Sequence, residues 1–154
     1  HQGAAVAVPT VAALPDHLTR GPLAAQLALA TSEARAGQYV DATLRLTLAR
    51  PWELLASHAL NRSRASLAVS LLNADLEAEP LRQPAPQIAE RRWSPGPVAL
   101  LSGETRLVLP IRVPPRAAPG PRRVRVRVRY QLCNGGECVA PESLVLETPL
   151  TVLR

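Results

Sequence analysis

The stretch RRVRVRVRYQLC at residues 122–133 alternates between polar and apolar side chains from Arg123 onward. A period of two places successive side chains on opposite faces of an extended strand and is incompatible with one apolar helix face. The pattern therefore predicts a strand whose valines and Tyr130 face a core while its arginines face solvent. Cys133 falls in the arginine register, so we expect it on the wetter face, at the end of the strand.

The rest of the chain alternates in shorter segments, and its sixteen scattered prolines disfavour long helices. Strands are predicted at 25–30, 39–49, 64–72, 75–82, 104–114, 122–132 and 138–153, with a Pro-rich loop at 83–97, a turn at 115–121 and a helical turn within 52–69. About seven or eight short strands separated by turns predict an all-β fold, an immunoglobulin-like antiparallel β-sandwich.

Residues 1–22 are small, aperiodic and punctuated by proline. We expect them to form a flexible N-terminal arm or linker, such as the start of a chain after removal of a signal peptide. Residues 23–154 are expected to form the sandwich, with enough length to bury a core without help from a disulfide. No run of about 18 apolar residues is present, so no membrane-spanning helix is predicted.

The net charge of +6 comes entirely from arginine, because the chain has no lysine. The arginine row from Arg123 to Arg129 would suit a polyanion, and such binding would be steeply salt-dependent. However, alternating charge is also the normal surface of a half-exposed strand. Aromatic residues make up only 3% of the chain, too few for a base-stacking platform, so no nucleic acid is expected as a partner.

Cys133 and Cys138 are the only cysteines, and the turn sequence NGGE lies between them. Asn and Gly tolerate the positive φ angles that tight turns require. The two cysteines are therefore predicted to face each other as the last pair of a β-hairpin.

The return strand of this hairpin is predicted to contain an irregularity. Simple pairing through the turn places Glu142 opposite Arg129 but turns Leu144 and Leu146 toward the arginine face. One extra residue on the return strand restores both leucines to the core. Because proline donates no ladder hydrogen bond, we expect a bulge or strand break near residues 140–142.

The cysteine pair permits two interpretations, a passive staple and a redox site. A disulfide closing about six residues stabilises by only about 2 kcal/mol, and opposed strand positions are wider apart than a relaxed disulfide prefers. Such a bridge is expected to be readily reduced, with Arg129 favouring the thiolate and Glu137 opposing it. Zinc is disfavoured because two more ligands are needed and His1, His17 and His58 show no paired spacing.

The stretch 123–152 resembles the N-terminal periplasmic domain of the thiol:disulfide interchange protein DsbD and its relatives. In that family a strand ends in Tyr-Gln-x-Cys, and a short loop brings a second Cys followed by Pro and an alternating strand. The matching residues are Tyr130, Gln131, Cys133, Cys138 and Pro141. The likeness extends to LSGETRLVLPIRVP at 101–114 and is weaker at 46–60, where Glu53 departs from the Pro-x-Trp-His that relatives often carry.

This resemblance implies that Cys133 and Cys138 are the catalytic residues of a thiol:disulfide oxidoreductase. It implies a relay of electrons from a membrane-embedded reductant to oxidised extracytoplasmic proteins, such as disulfide isomerases and proteins of cytochrome c maturation. The implied partners are thioredoxin-like redox proteins, no cofactor is implied, and the location is periplasmic or otherwise extracytoplasmic. Membrane attachment would come only from a fused or partner transmembrane domain, and either cysteine is a candidate for the attacking residue.

Relatives shield the cysteine pair with a short loop that carries an aromatic residue. By position, the loop before strand 104–114 corresponds, which makes Trp93 a candidate cap; the alternative is an amphipathic Trp on the sandwich edge. Arg129 and Glu137 are candidate modulators of the pair. The alternative function is a non-catalytic immunoglobulin-like binding module with a structural hairpin disulfide.

Overall fold

The computed structural model describes residues 13–154, which form thirteen β-strands and a single turn of 3₁₀-helix. The strands are β1 His17–Arg20, β2 Leu23–Leu29, β3 Glu33–Arg35, β4 Tyr39–Leu48, β5 Glu53–Leu55, β6 Ala68–Leu71, β7 Glu77–Ala78, β8 Gln87–Ala89, β9 Val98–Ser102, β10 Glu104–Arg112, β11 Gly120–Tyr130, β12 Leu132–Cys133 and β13 Glu142–Leu153. The 3₁₀ turn is Ala59–Asn61, inside the segment where a helical turn was predicted. No helix in the described part of the chain is long and apolar enough to cross a membrane.

The strands form three sheets. Their orders are β1-β2-β4-β10-β7, β3-β13-β11-β6 and β12-β5-β9-β8. All named pairings are antiparallel except that of β3 with β13, which is parallel. The prediction of an all-β antiparallel sandwich is confirmed.

Strand β11 shows the alternation that its sequence predicts. Val124, Val126, Val128 and Tyr130 are buried in the main core, and the arginines between them are exposed. The facing sheet contributes the apolar side of β4, so one continuous core joins the sheet of β4 to the sheet of β11. Burial of apolar surface, at about 25 cal/mol per Å², is the main stabilising contribution of such a core.

The prediction of an arm over residues 1–22 was wrong for residues 17–20. These residues form β1, which pairs with β2 across a turn where Gly21 has a φ of 56°. The partly buried side chain of Leu18 packs against the main core, which ties this segment to the sandwich. Residues 1–12 of the predicted arm lie outside the described residues.

Four further short strands were missed: β3 and β9 were not assigned, β5 lies in the segment expected to contain a helical turn, and β8 lies in the expected Pro-rich loop. Strand β9, with the sequence VALLS, has four consecutive buried residues, so both of its faces are apolar. A strand buried on both faces shows no alternation, and its short apolar run does not distinguish strand from helix.

The predicted irregularity of the return strand is present. Cys133 opposes Cys138, and Tyr130 opposes Glu142. Tyr130 lies three residues before Cys133, whereas Glu142 lies four residues after Cys138. The return side therefore holds one extra residue, and β13 begins only after Pro141. With this insertion Leu144 is buried, and Arg129 lies opposite Ser143 instead of Glu142.

Candidate redox site at the cysteine hairpin

The cysteine hairpin, residues 130–141, brings Cys133 and Cys138 into a disulfide. Their Cα atoms are 4.0 Å apart, and the two residues form an isolated antiparallel bridge. The predicted opposition of the two cysteines is therefore confirmed.

Asn134 organises the tip of the hairpin. Its side-chain Oδ1 accepts hydrogen bonds from the backbone N–H groups of Gly136 (2.8 Å) and Glu137 (2.9 Å). Its own N–H donates to the carbonyl of Glu137 at 2.8 Å. An asparagine that satisfies turn amides in this way fixes the turn locally, so the tip is closed by hydrogen bonds as well as by the disulfide.

The expectation that Cys133 faces the wetter, arginine-rich side was wrong. The chain leaves the β11 register after Tyr130, and Leu132 and Cys133 form β12, which pairs with β5 in the third sheet. Both residues of β12 are buried, and Cys133 has 0% exposure. Cys138 is half-buried, so the two sulfur-bearing residues differ in their access to solvent.

A small apolar cluster lies beneath the disulfide, separate from the main core. Its buried members are Leu55, Val98, Leu100 and Cys133, contributed by β5, β9 and β12. Ala89, Trp93 and Cys138 are partly buried against it. The third sheet therefore forms the floor of the site, and its missed strands explain why the sequence did not predict the burial of Cys133.

Trp93 lies against the cysteine hairpin. Its indole Nε1 donates a 2.8 Å hydrogen bond to the backbone carbonyl of Asn134, the residue after Cys133. The guanidinium of Arg64 stacks over the indole, with Cζ 4.9 Å from the ring centroid, and Nη2 of Arg64 donates to the Trp93 carbonyl at 3.1 Å. Trp93 is thus placed where a cap would be, while its functional role stays a prediction.

A partly buried ion pair lies next to Cys133. Glu53 is the cross-strand partner of Cys133 in the pairing of β5 with β12. Arg91 donates two hydrogen bonds to the Glu53 carboxylate, at 3.0 and 2.8 Å, and the side chains of Arg91 and Glu53 are 23% and 13% exposed. The hydrogen bond from Arg91 to Glu53 is the largest of the effects that raise the pKa of Arg91.

Sequence reasoning missed the Glu53–Arg91 pair as part of the site. Glu53 was noted only as a departure from the family pattern. The two residues are separated by 38 positions, and no local spacing connects them. Only the adjacency of β5 to β12, which could not be predicted from such short strands, reveals the contact with the cysteine hairpin.

The two predicted modulators lie on the surface. Arg129 is exposed on β11 opposite Ser143, and Glu137 is exposed at the hairpin tip. Among residues 13–154, neither side chain forms an ion pair. The guanidinium of Arg92, which was not predicted to be near the site, lies beside Gly136 at the hairpin tip.

The arginine row is partly neutralised by Glu147, a carboxylate whose side chain is only 2% exposed. Arg125 donates to one oxygen of Glu147, and Arg123 donates to the other at 3.3 Å. The N–H of Leu14 also donates to this carboxylate, at 3.0 Å. Two of the arginines that suggested polyanion binding are therefore paired with a carboxylate of the domain itself.

Asn61 is a buried polar residue that the sequence did not single out. Its exposure is 0%, and its Nδ2 donates to the carbonyls of Ala56 (2.7 Å) and Ala99 (2.8 Å). It connects the segment after β5 to the middle of β9. Asn61 therefore holds together the two strands that form the floor of the site.

The histidines have local partners where they are described. His17 Nδ1 lies 2.7 Å from the carboxylate of Asp16, and His58 Nδ1 accepts the N–H of Leu60 at the start of the 3₁₀ turn. His1 lies outside the described residues. Within the part that is described, no three metal-ligating side chains come together.

Comparison with known proteins yields a likeness of fold alone. No family model matches the chain, and no curated protein matches it. Among solved structures, the fold is similar to that of the N-terminal periplasmic domain of ScsB from Proteus mirabilis, with a TM-score of 0.54 and 13% identity over 85% of this chain. The match covers 49% of that protein's chain, so this chain spans about half its length.

Proposed function

We propose that this domain is a thiol:disulfide oxidoreductase that exchanges electrons with thioredoxin-like proteins through Cys133 and Cys138. The observation that carries the proposal is the disulfide at the tip of a β-hairpin, with one cysteine half-buried and the other fully buried. The DsbD-like sequence of the hairpin and the fold similarity to a periplasmic domain support an extracytoplasmic location.

The unequal burial of the cysteines supports Cys138 as the residue that bonds to the partner. Thiol–disulfide exchange requires an incoming thiolate to approach a sulfur atom, and access decides which sulfur is attacked. Cys133 has no exposed surface, whereas Cys138 retains some. A partner thiolate then attacks Sγ of Cys138, the disulfide breaks, and the electron pair goes to Sγ of Cys133.

The cycle closes through the second thiol of the partner. That thiol loses its proton and attacks the partner sulfur of the mixed disulfide, which releases Cys138 as a thiolate. The net change is oxidation of the partner dithiol to a disulfide and reduction of the Cys133–Cys138 bond to two thiols. The reverse sequence passes the electrons to an oxidised acceptor protein.

The alternative function is a binding module in which the disulfide is only structural. The burial of Cys133 and the hydrogen-bonded turn at Asn134 favour this alternative, because both resemble features of a permanent staple. In that case replacement of both cysteines would lower stability by about 2 kcal/mol and leave binding intact.

Trapping of a mixed disulfide separates the two functions. A Cys133→Ser variant retains Cys138 as the only thiol, and we expect it to form a stable adduct with an oxidised thioredoxin-like protein. The matched Cys138→Ser variant retains only the buried thiol and should form far less adduct. Absence of adduct from both variants, with each folded as judged by circular dichroism, would leave only the binding module.

A further inference from the structure

The carboxylate of Glu53 is carried by the residue directly across the ladder from Cys133. Directly opposed side chains in an antiparallel pair lie on the same face of the sheet, with Cβ atoms about 4.5–5.5 Å apart. Leu55, two residues further along β5, shares that face and packs in the same small cluster as Cys133. Glu53 therefore lies at the edge of the cluster that surrounds the buried sulfur.

Arg91 holds Glu53 in this position with two hydrogen bonds. A bidentate contact between a guanidinium and a carboxylate fixes the orientation of both groups. Arg91 also precedes Trp93 by two residues, so the pair tethers the covering loop, residues 90–97, which places Trp93 against the hairpin. Holding the loop in place is a structural role of the pair. An effect of the pair on the Cys133 thiol is separate from it and is measured by the titration described below.

The other charges around the buried sulfur are few. One of them, Arg64, is half-buried and stacks over the outer cluster member Trp93. Strand β9, which lies next to β5, carries no charged residue. The covering loop contributes Glu90 and Arg92 in addition to Arg91, and the hairpin tip contributes Glu137; these three residues are all exposed. Their fields are screened by water, whereas the Glu53–Arg91 pair is largely shielded from it.

We propose that the Glu53–Arg91 pair controls the protonation of the Cys133 sulfur when the disulfide opens. This inference rests on the proposed exchange reaction at the cysteine pair. Glu53 and Arg91 are positioning residues in this scheme, since neither bonds to the partner protein. The carboxylate disfavours negative charge on Cys133, and the guanidinium offsets that effect.

The chemical step follows from the exchange reaction. When a partner thiolate attacks Sγ of Cys138, the departing electron pair makes Cys133 a thiolate inside an apolar cluster. Burial and a neighbouring carboxylate both disfavour the charged form of a thiol. The Cys133 thiolate therefore takes up a proton from water and becomes a neutral thiol, which does not attack the mixed disulfide in return. The partner's second thiol then completes the transfer.

The test uses the Cys138→Ser background, in which Cys133 is the only thiol. The ¹³Cβ chemical shift of labelled Cys133, followed against pH, reports the pKa of this thiol without any partner protein. Glu53→Gln removes the carboxylate and leaves Arg91 uncompensated, so we expect the pKa of Cys133 to fall by about one unit. Arg91→Gln leaves the carboxylate uncompensated, so we expect a rise of about one unit.

Two further variants make the result specific. Glu137→Gln removes an exposed carboxylate close to Cys138 and should move the pKa of Cys133 by less than a third of the shift seen in Glu53→Gln. The double variant Glu53→Gln/Arg91→Gln replaces the ion pair with two amides, and the pKa of Cys133 in it should lie between the values of the two single variants. Thermal unfolding of each variant shows that the fold is retained.

Shifts of the same sign in Glu53→Gln and Arg91→Gln, or shifts no larger than that of Glu137→Gln, would overturn the inference and leave the pair as a loop tether. This outcome is distinguishable from failure of the proposed function. The titration requires no partner, whereas the exchange reaction is tested by adduct formation at Cys138. If the two variants shift the pKa of Cys133 in opposite directions but no adduct forms at Cys138, the pair does act on the Cys133 thiol, and the proposed exchange function is wrong.

Discussion

The side chain of Asn61 forms two hydrogen bonds with Ala99, one with its backbone carbonyl and one with its backbone N–H. Nδ2 of Asn61 donates to the Ala99 carbonyl at 2.8 Å, and Oδ1 accepts the Ala99 N–H at 3.1 Å. Ala99 lies between Val98 and Leu100, which pack under the disulfide. Asn61 therefore stabilises the strand that forms the floor of the proposed redox site.

Replacement of Asn61 by alanine should lower the free energy of unfolding by about 2–4 kcal/mol. The substitution removes the Asn61 partner of the Ala56 carbonyl and of the Ala99 N–H, whereas the Ala99 carbonyl still accepts the Ala56 N–H at 3.0 Å. Each unsatisfied buried group costs about 1–3 kcal/mol. Urea unfolding followed by circular dichroism measures this cost.

Asn73 offers a matched control for Asn61. Its Nδ2 donates to the Arg123 carbonyl at 2.8 Å and its Oδ1 accepts the Arg125 N–H at 2.8 Å, but these contacts are exposed. Water can replace them, so Asn73→Ala should cost only about 0.5–1.5 kcal/mol. Equal costs at the two sites would show that burial of Asn61 is not the decisive factor.

Glu147 should make the stability of the domain depend on pH in the acid range. Burial by itself raises the pKa of Glu147, but the hydrogen bonds from Arg125, Leu14 and Arg123 together outweigh burial and leave the pKa lowered. A carboxyl whose pKa is lower in the folded state stabilises the fold above its unfolded pKa. That contribution is lost as the pH falls through the folded pKa.

The Glu147→Gln variant should therefore be less stable than the parent at pH 7, by about 1–3 kcal/mol, and the difference should shrink as the pH falls below about 4. Thermal unfolding across pH 2–7 measures this convergence. Glu104→Gln is the control, because Glu104 pairs with Arg45 at an exposed site and should contribute less than about 1 kcal/mol at any pH. A Glu147 effect that is constant with pH would contradict the assignment.

Removal of Trp93 should make the disulfide easier to reach. Trp93 packs against the disulfide cluster and bonds to the carbonyl of Asn134. We expect Trp93→Ala to be reduced by dithiothreitol about fivefold faster, which corresponds to the loss of one hydrogen bond of about 1 kcal/mol. Stopped-flow fluorescence or quenched alkylation measures the rate.

Trp52 is the control for Trp93, since it is also half-buried but packs against the main core. Trp52→Ala should lower stability without changing the reduction rate under native conditions. A similar acceleration in both variants would mean that global loosening, and not local shielding by Trp93, controls access to the disulfide.

Sequence reasoning was most reliable where one strand carries its own signal. The alternation from Arg123 to Tyr130 predicted which side chains of β11 are buried, because a half-exposed strand has a period of two. Pro141 predicted the break before β13 for a similarly local reason. These features depend on neighbouring residues, so no tertiary information was needed.

The site was less predictable because it depends on a third sheet of short strands. Extending the β11 alternation to Cys133 failed, since the chain changes partner after Tyr130 and pairs with β5 instead. The ion pair joins Glu53, in a strand of three residues that is too short to show alternation, to Arg91 in the loop between β8 and β9. Such contacts follow from packing, and the sequence pattern does not contain them.

The reduction potential of the Cys133–Cys138 pair tests the central claim most directly. Equilibration of the domain with glutathione redox buffers, followed by alkylation of free thiols and mass spectrometry, measures this potential. We predict a value between about −180 and −270 mV, the range of disulfides that exchange with cellular dithiols. A potential below about −300 mV, as structural disulfides have, would contradict an exchange function.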